Sequence, residues 1–362
     1  MAEELQSTLY MFVGSYTNEQ CAQGIGLYAF DRQRGEIKLV EPYSDLPNAS
    51  FLTINEACTK LYAVSETEAY NGLFGGSVAA YDIEAGTGKL TKLNQVPTHG
   101  SAPCYVSLDQ MGHMLLVANY GSGSVTVFPI EADGRLGERS QLVKHEGELG
   151  PHADRQEAPH AHSVDALPNN RYALSADLGL DRLVISAIDA ESGLLAPHGE
   201  AHLKPGSGPR HFALSADSRY AYVVGELDCT VTAMELDAAA GTLTAVQTVS
   251  SLPEGHDIGD NSGADIHLSG DGRYVYASNR GHDSIAVYAV DRQRGTLSLV
   301  QLQATLGRTP RNFALTPQGD YLLAANQDSN SITVFRVDAE TGKLEETGQT
   351  AEVSKPVCMK FL

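Results

Sequence analysis

The sequence contains no tryptophan, and its five cysteines (Cys21, Cys58, Cys104, Cys229 and Cys358) lie far apart with no Cys-x-x-Cys pair. An odd, scattered set of thiols argues against a disulfide framework or a zinc knuckle and points to free thiols in a reducing compartment. Positive charge is scarce as well: 25 Lys and Arg stand against 45 Asp and Glu, a formal net charge of −20. Such a surface offers no basic face to nucleic acid or an anionic membrane, although a local basic pocket would still suit a small anion. No apolar run approaches the roughly 20 residues of a membrane span. The first residues, MAEELQSTLY, carry acids where a secretion signal would carry bases. These absences lead us to expect a cytoplasmic protein, monomeric or weakly dimeric, with neither nucleic-acid nor membrane partners. Sustained helical periodicity is missing too, as are a Gly-x-Ser-x-Gly elbow and a phosphate loop.

What the chain does have is a repeat. Residues 209–246, 264–300 and 310–347 each hold four short alternating or apolar runs separated by turn residues. In the first, HFAL is followed by YAYVV, TVTAMEL and LTAV. Period-two alternation between Gly, Asp and Asn turns reads as four antiparallel strands, A to D. Further copies start near Asn48, Ala102 and Pro159. The copy nearest the N-terminus (LYMFVGSY, then GIGLYAFDRQRGEIKLV) lacks strand A, and KPVCMKFL at the other end supplies it. The sequence therefore predicts an all-β, seven-bladed propeller forming a single domain over residues 1–362. Blade 1 would be built from about residues 9–42 plus 355–362. A ring closed this way leaves no exposed sheet edge at its ends.

Antiparallel order places the start of strand A and the end of strand B at one mouth of the central channel, with strand A nearest the axis. At the first position Arg210 aligns with Ser50, Cys104, His162, Ala264 and Arg311. At the second, Glu226 aligns with Ser15, Glu66, Tyr120, Leu178, Arg280 and Gln327. Scaffold positions repeat between blades and these do not, which suggests a shaped polar pocket. Nearby polar groups are His160, His211, Asp265, His267, Asn279, Asn312 and Asn326. The expected catalytic set is His162, Glu226, Arg210 and Arg280. The expected substrate contacts are His160, His211, Asp265, His267, Asn279, Arg311, Asn312, Gln327 and Glu66. His160 and His162 alone would be half a metal site with no further ligand specified by spacing, so no metal or other cofactor is expected. Glycine-bearing turns such as Asp291–Gly295 read as hairpin chemistry, and Tyr222, Tyr274 and Tyr276 as core between blades.

The segments GPRHFALSADSRYAYVVGEL (Gly208–Leu227), ADIHLSGDGRYVYASNR (Ala264–Arg280) and PHAHS (Pro159–Ser163) resemble the seven-bladed lactonase family. That family includes bacterial propeller-type 6-phosphogluconolactonases and is related to the fungal carboxy-muconate lactonising enzyme. The resemblance covers essentially the whole chain and implies a metal-independent enzyme acting on a lactone ring. By motif, a His, an Arg, a Glu and a second Arg proposed for the lactonising enzyme fall on His162, Arg210, Glu226 and Arg280. The family's phosphogluconolactonases are typically shorter. Here a long connection, KHEGELGPHADRQEAPHAH, is expected to reshape the mouth.

Hydrolysis of a lactone needs an activated water, a stabilised tetrahedral oxyanion and a proton for the departing alkoxide. His162 and Glu226 are both candidates to activate water, worth roughly 10²–10⁴-fold. Arg210 or Arg280 would stabilise the oxyanion, and a remaining guanidinium, with Arg311, would grip a phosphate or carboxylate. The expected substrate is a small anionic sugar lactone, foremost 6-phospho-D-glucono-1,5-lactone. Alternatives are a non-phosphorylated aldonic or aldaric lactone, a muconate-type lactonisation, or a calcium-dependent gluconolactonase chemistry. A non-enzymatic protein-binding propeller would show aromatic anchors on its rim, and the lack of tryptophan speaks against it.

Overall fold

The computed structural model describes residues 8–189 and 191–362. Seven four-stranded antiparallel sheets form the blades of the ring. Within each, strand B is buried on both faces because it lies between two neighbouring blades. Met114–Asn119, Tyr220–Gly225 and Tyr321–Asn326 are accordingly continuous buried runs rather than alternating ones. The outermost strands alternate, as in Thr242–Ser250, with one side open to solvent. The only helical element among the described residues is a 3₁₀ turn, Gln327–Ser329, and no helix is long and apolar enough to cross a membrane.

Blade 1 is closed as the split repeat predicts. Strand Thr8–Ser15 pairs with Pro356–Phe361, with Val13 opposite Met359 and Met11 opposite Phe361. The seam to blade 7 is packed by Phe30, Tyr321, Leu323 and Met359. Arg32 adds an ion pair to Asp320 at 2.6 Å, and its carbonyl accepts the Tyr321 hydroxyl at 2.7 Å.

The Asp-x-x-x-Gly turns join strands C and D. In the turn Asp291–Gly295 the aspartate caps the amides of Gln293 and Arg294, and Gly295 adopts φ +71°. Tyr220 of the adjacent blade lies against this glycine, and a Cβ there would come within 2.2 Å of the ring. Both the left-handed backbone and the inter-blade contact therefore demand glycine. Tyr222 and Tyr276 are fully buried, as expected, whereas Tyr274 is partly exposed.

Strand A is interrupted at nearly the same place in blade after blade. The A–B register slips between Pro103 and Tyr105, Ala161 and Ser163, Pro209 and His211, and Pro310 and Asn312. The residue skipped each time is Cys104, His162, Arg210 and Arg311. In blade 1 it is Val357, and in blade 6 the interruption spans Ala264 and Asp265. A bulged residue leaves the ladder and re-aims its side chain, a device concentrated beside active sites. This backbone feature brings the non-repeating residues to the axis.

Candidate active site

At the end of strand B a second backbone contact recurs. The amides of Glu66, Tyr120, Leu178, Glu226 and Gln327 each donate to the carbonyl two residues before the strand A slot. In blade 1 the residue making this bond is Tyr16, which donates to Lys355. Tyr16 therefore occupies the position to which the sequence alignment assigned Ser15, one residue off because the split repeat has no adjacent strand A to align on.

These two rings of positions enclose a cavity of about 260 Å³, at the small end for ligand sites, lined by Glu66, Cys104, Tyr120, Arg155, His162, Glu226, Ser262, Arg280 and Arg311. Larger grooves exist on the opposite face, between strand A–B turns, but neither is lined by more than one arginine. Glu226 is the hub. One carboxylate oxygen lies 3.0 Å from Arg210 Nε, 3.1 Å from Arg280 Nη2 and 3.8 Å from His162 Nε2. The other accepts a hydrogen bond from Arg155. Arg210 stands behind Glu226 and donates to the Ala264 carbonyl at 2.6 Å, and Arg280 donates to the Gly263 carbonyl at 2.9 Å. Arg311 lies over the Tyr16 ring, 5.5 Å from its centroid, and its guanidinium makes no ion pair among the described residues. Tyr16 in turn donates its hydroxyl to Glu66 at 2.9 Å.

Burial sets the electrostatics. It opposes the charge on Glu226, but Arg280, Arg210, His162 and Arg155 outweigh it and hold the carboxyl well below its usual range. Burial and the neighbouring Arg210 hold His162 well below the ordinary imidazole value, so its ring is neutral at pH 7. Burial, reinforced by Arg311 and Arg280, brings Arg210 down to about 10. The Cys104 thiol, pushed up by burial, rests 3.6 Å from His162 Nδ1.

Several residues expected to touch substrate lie outside the cavity. His160 stacks on Tyr120 at 4.4 Å, whereas His162, at the bulge, meets the same ring edge-on at 5.4 Å. They do not form the shared face that a half metal site required. Among the described residues no group of three or more His, Cys, Asp or Glu is close enough to hold a metal ion. His211, Asp265, His267 and Asn312 form a polar column beneath the site. Asp265 accepts from His211 Nδ1 at 2.8 Å, from His267 Nε2 at 2.9 Å and from Asn312 Nδ2. Asn279 is buried against Ser251 and Ser284, where it fastens a connection. Gln327 sits in the 3₁₀ turn with its side-chain amide on Asp328. The expectation for these residues weighted polarity near the mouth, whereas the cavity is lined mainly by slot residues, joined by Arg155 and Ser262.

Four wall residues stand outside the expected site: Cys104, Tyr120, Arg155 and Ser262. Tyr120 was aligned but not selected, although its slot position was a sufficient signal. Arg155 comes from the long connection, which runs from strand D of blade 3 (Gln141–Lys144) to strand A of blade 4 (Ala161–Ala166). That connection is anchored from below. His145 pairs with buried Asp177 at 2.7 Å, Gly150 donates to the Gly179 carbonyl at 2.9 Å, and buried Gln156 donates to the Leu178 carbonyl at 2.8 Å. The segment projects an arginine across the mouth.

Comparison with known proteins gives the arrangement a lineage. A 6-phosphogluconolactonase of Bacillus subtilis is 39% identical over 97% of both chains, so the expected excess length is not seen against it. Another from Formosa agariphila is 34% identical over 85% of this chain and 86% of its own. The solved structure of the periplasmic gluconolactonase PpgL of Pseudomonas aeruginosa superposes with a TM-score of 0.89 at 33% identity, over 98% of this chain and 99% of that one. The family model described as "Lactonase, 7-bladed beta-propeller" matches residues 10–361, and the chain belongs to that family.

Proposed function

We propose that this chain hydrolyses 6-phospho-D-glucono-1,5-lactone to 6-phosphogluconate without a metal ion. The observation that carries the reading is the charge of the cavity. Four guanidiniums, of Arg155, Arg210, Arg280 and Arg311, stand around two carboxylates, Glu66 and Glu226, on a protein of net charge −20. That local surplus of two positive charges complements a phosphate dianion. The names of the Bacillus and Formosa relatives support the phosphorylated substrate.

The structure favours a division of labour between the two candidate bases. Glu226, clamped by arginines, is a weak base. His162 is neutral and has Glu226 3.8 Å from its Nε2. His162 takes a proton from a water that attacks the lactone carbonyl, and Glu226 stabilises the imidazolium so formed. Arg311, whose guanidinium has no hydrogen bond or ion pair among the described residues, holds the oxyanion of the tetrahedral intermediate. When the ring C–O bond breaks, the imidazolium returns its proton to the departing alkoxide, leaving an acid and an alcohol. Arg210 and Arg280, which the sequence assigned to substrate anions, instead hold Glu226.

The test is a parallel assay of phosphorylated and non-phosphorylated glucono-1,5-lactone, corrected for spontaneous hydrolysis, before and after EDTA. The reading requires a preference for the phosphorylated lactone that survives the chelator. Equal rates on both lactones would refute the substrate, and loss of activity with EDTA would refute metal independence.

A further inference from the structure

Of the arginines contacting Glu226, Arg155 differs in origin and in setting. Arg210 and Arg280 belong to strands, and their side chains are 3% and 15% exposed. Arg155 belongs to the connection between blades 3 and 4, and its side chain is 44% exposed. Only its Nη2 is engaged, by Glu226 and, at 3.4 Å, by the Tyr120 hydroxyl. Its other donors face the mouth with no protein partner among the described residues. The segment under it is fixed by the buried Gln156 side chain, so the guanidinium is presented from a firm base rather than from a loose loop. Meanwhile Glu226 has more cations than one carboxylate needs, since Arg210 and Arg280 already ion-pair with the oxygen that faces His162.

We propose that Arg155 is the specificity-determining residue for the phosphate, and that the phosphate takes Arg155 away from Glu226 as the substrate enters. The inference rests on the phosphorylated-lactone reading above. Before binding, Arg155 occupies the outer oxygen of Glu226. A dianion at the mouth offers Arg155 a stronger, bidentate partner. The exchange frees that oxygen of Glu226 to accept a hydrogen bond from the attacking water or from His162. Phosphate is then recognised in turnover as well as in binding, because only a phosphorylated substrate releases the carboxylate. A lactone without the dianion finds Glu226 still occupied.

The experiment compares 6-phosphoglucono-1,5-lactone with glucono-1,5-lactone for the wild type, Arg155→Gln and Arg155→Lys, and adds phosphite dianion to the reaction of the non-phosphorylated lactone. Losing one member of a charge pair at a binding site predicts that Arg155→Gln lowers the wild-type preference ratio in kcat/KM by about 30-fold or more, with part of it in kcat, while Arg155→Lys recovers some of it. Phosphite should accelerate the wild type on glucono-1,5-lactone and leave Arg155→Gln unaffected. A wild-type ratio retained in Arg155→Gln, or an equal loss on both lactones, would overturn the assignment. Absence of phosphite activation in the wild type would overturn the exchange. A wild type with no preference for the phosphorylated lactone would instead sink the substrate reading itself, a result distinct from the other two.

Discussion

Replacing Glu226 by glutamine keeps the shape of the side chain and removes its charge. The carboxylate is 4% exposed, and it lies among Arg210, Arg280 and Arg155 with His162 beside it. Its loss leaves two nearly buried guanidiniums facing one another uncompensated, which typically costs about 3–5 kcal/mol. For 362 residues the unfolding entropy is about 0.8 kcal/mol per kelvin, so the melting temperature should fall by about 4–6 °C. Linkage gives the pH dependence. The folded carboxyl is held below its unfolded value, burial opposing and the arginines winning, so its stabilisation is present above the unfolded pKa and fades as pH falls through the folded one. Melting followed by circular dichroism should show the largest gap between wild type and variant near neutrality, closing in acid. Turnover, measured by acid release, should fall at least about 100-fold. A variant that melts with the wild type at pH 7 would refute the clamp as an energetic centre. Normal turnover would refute the catalytic reading.

His162→Asn should retain the fold and lose about 10²–10⁴-fold in kcat, as expected for removal of a general base; an unchanged kcat would remove His162 from the reaction. Because burial and Arg210 hold the His162 ring neutral, the acid limb of kcat/KM should lie below the ordinary imidazole value. In Arg210→Gln the residual activity should show that limb moved to higher pH, and a limb that stays put would exclude His162 as its source. His211, pushed down to about 4 chiefly by burial and Arg210 despite Asp265, should stabilise the fold above its unfolded pKa and weaken it by up to about 3 kcal/mol as pH falls from about 6.5 to 4. An acid unfolding profile that is flat across that window would contradict it.

The ring was legible because its physics is repetitive. Strand B runs such as YAYVVG and YLLAAN are apolar throughout since both faces are covered, and the split repeat at Thr8–Ser15 and Pro356–Phe361 has no other use. The inner ring of the site was legible by contrast, because Arg210, Glu226, His162 and Arg280 depart from what the scaffold repeats. Two things were hidden. The bulge that turns His162 into the cavity while His160 stays out of its lining is a one-residue slip in hydrogen bonding, and alternation alone cannot show it. Arg155 belongs to no repeat, so alignment of the blades had nothing to compare it with. The column around Asp265 is the opposite case. Its His, Asp and Asn residues look functional by type, but His211, His267 and Asn312 all turn a donor onto the Asp265 carboxylate.

The recurring slip in strand A also says how such a ring can change its chemistry. The skipped residue contributes nothing to the ladder on either side, so its side chain can be rewritten while the blades keep their pairing and their tyrosine–glycine contacts. Cys104, His162, Arg210 and Arg311 fill four such sockets with reactive or charged groups, whereas Val357 fills another with a plain hydrocarbon. The propeller thus behaves as a rack of interchangeable tools around one axis, and Val357, buried and apolar, is a socket that now holds none.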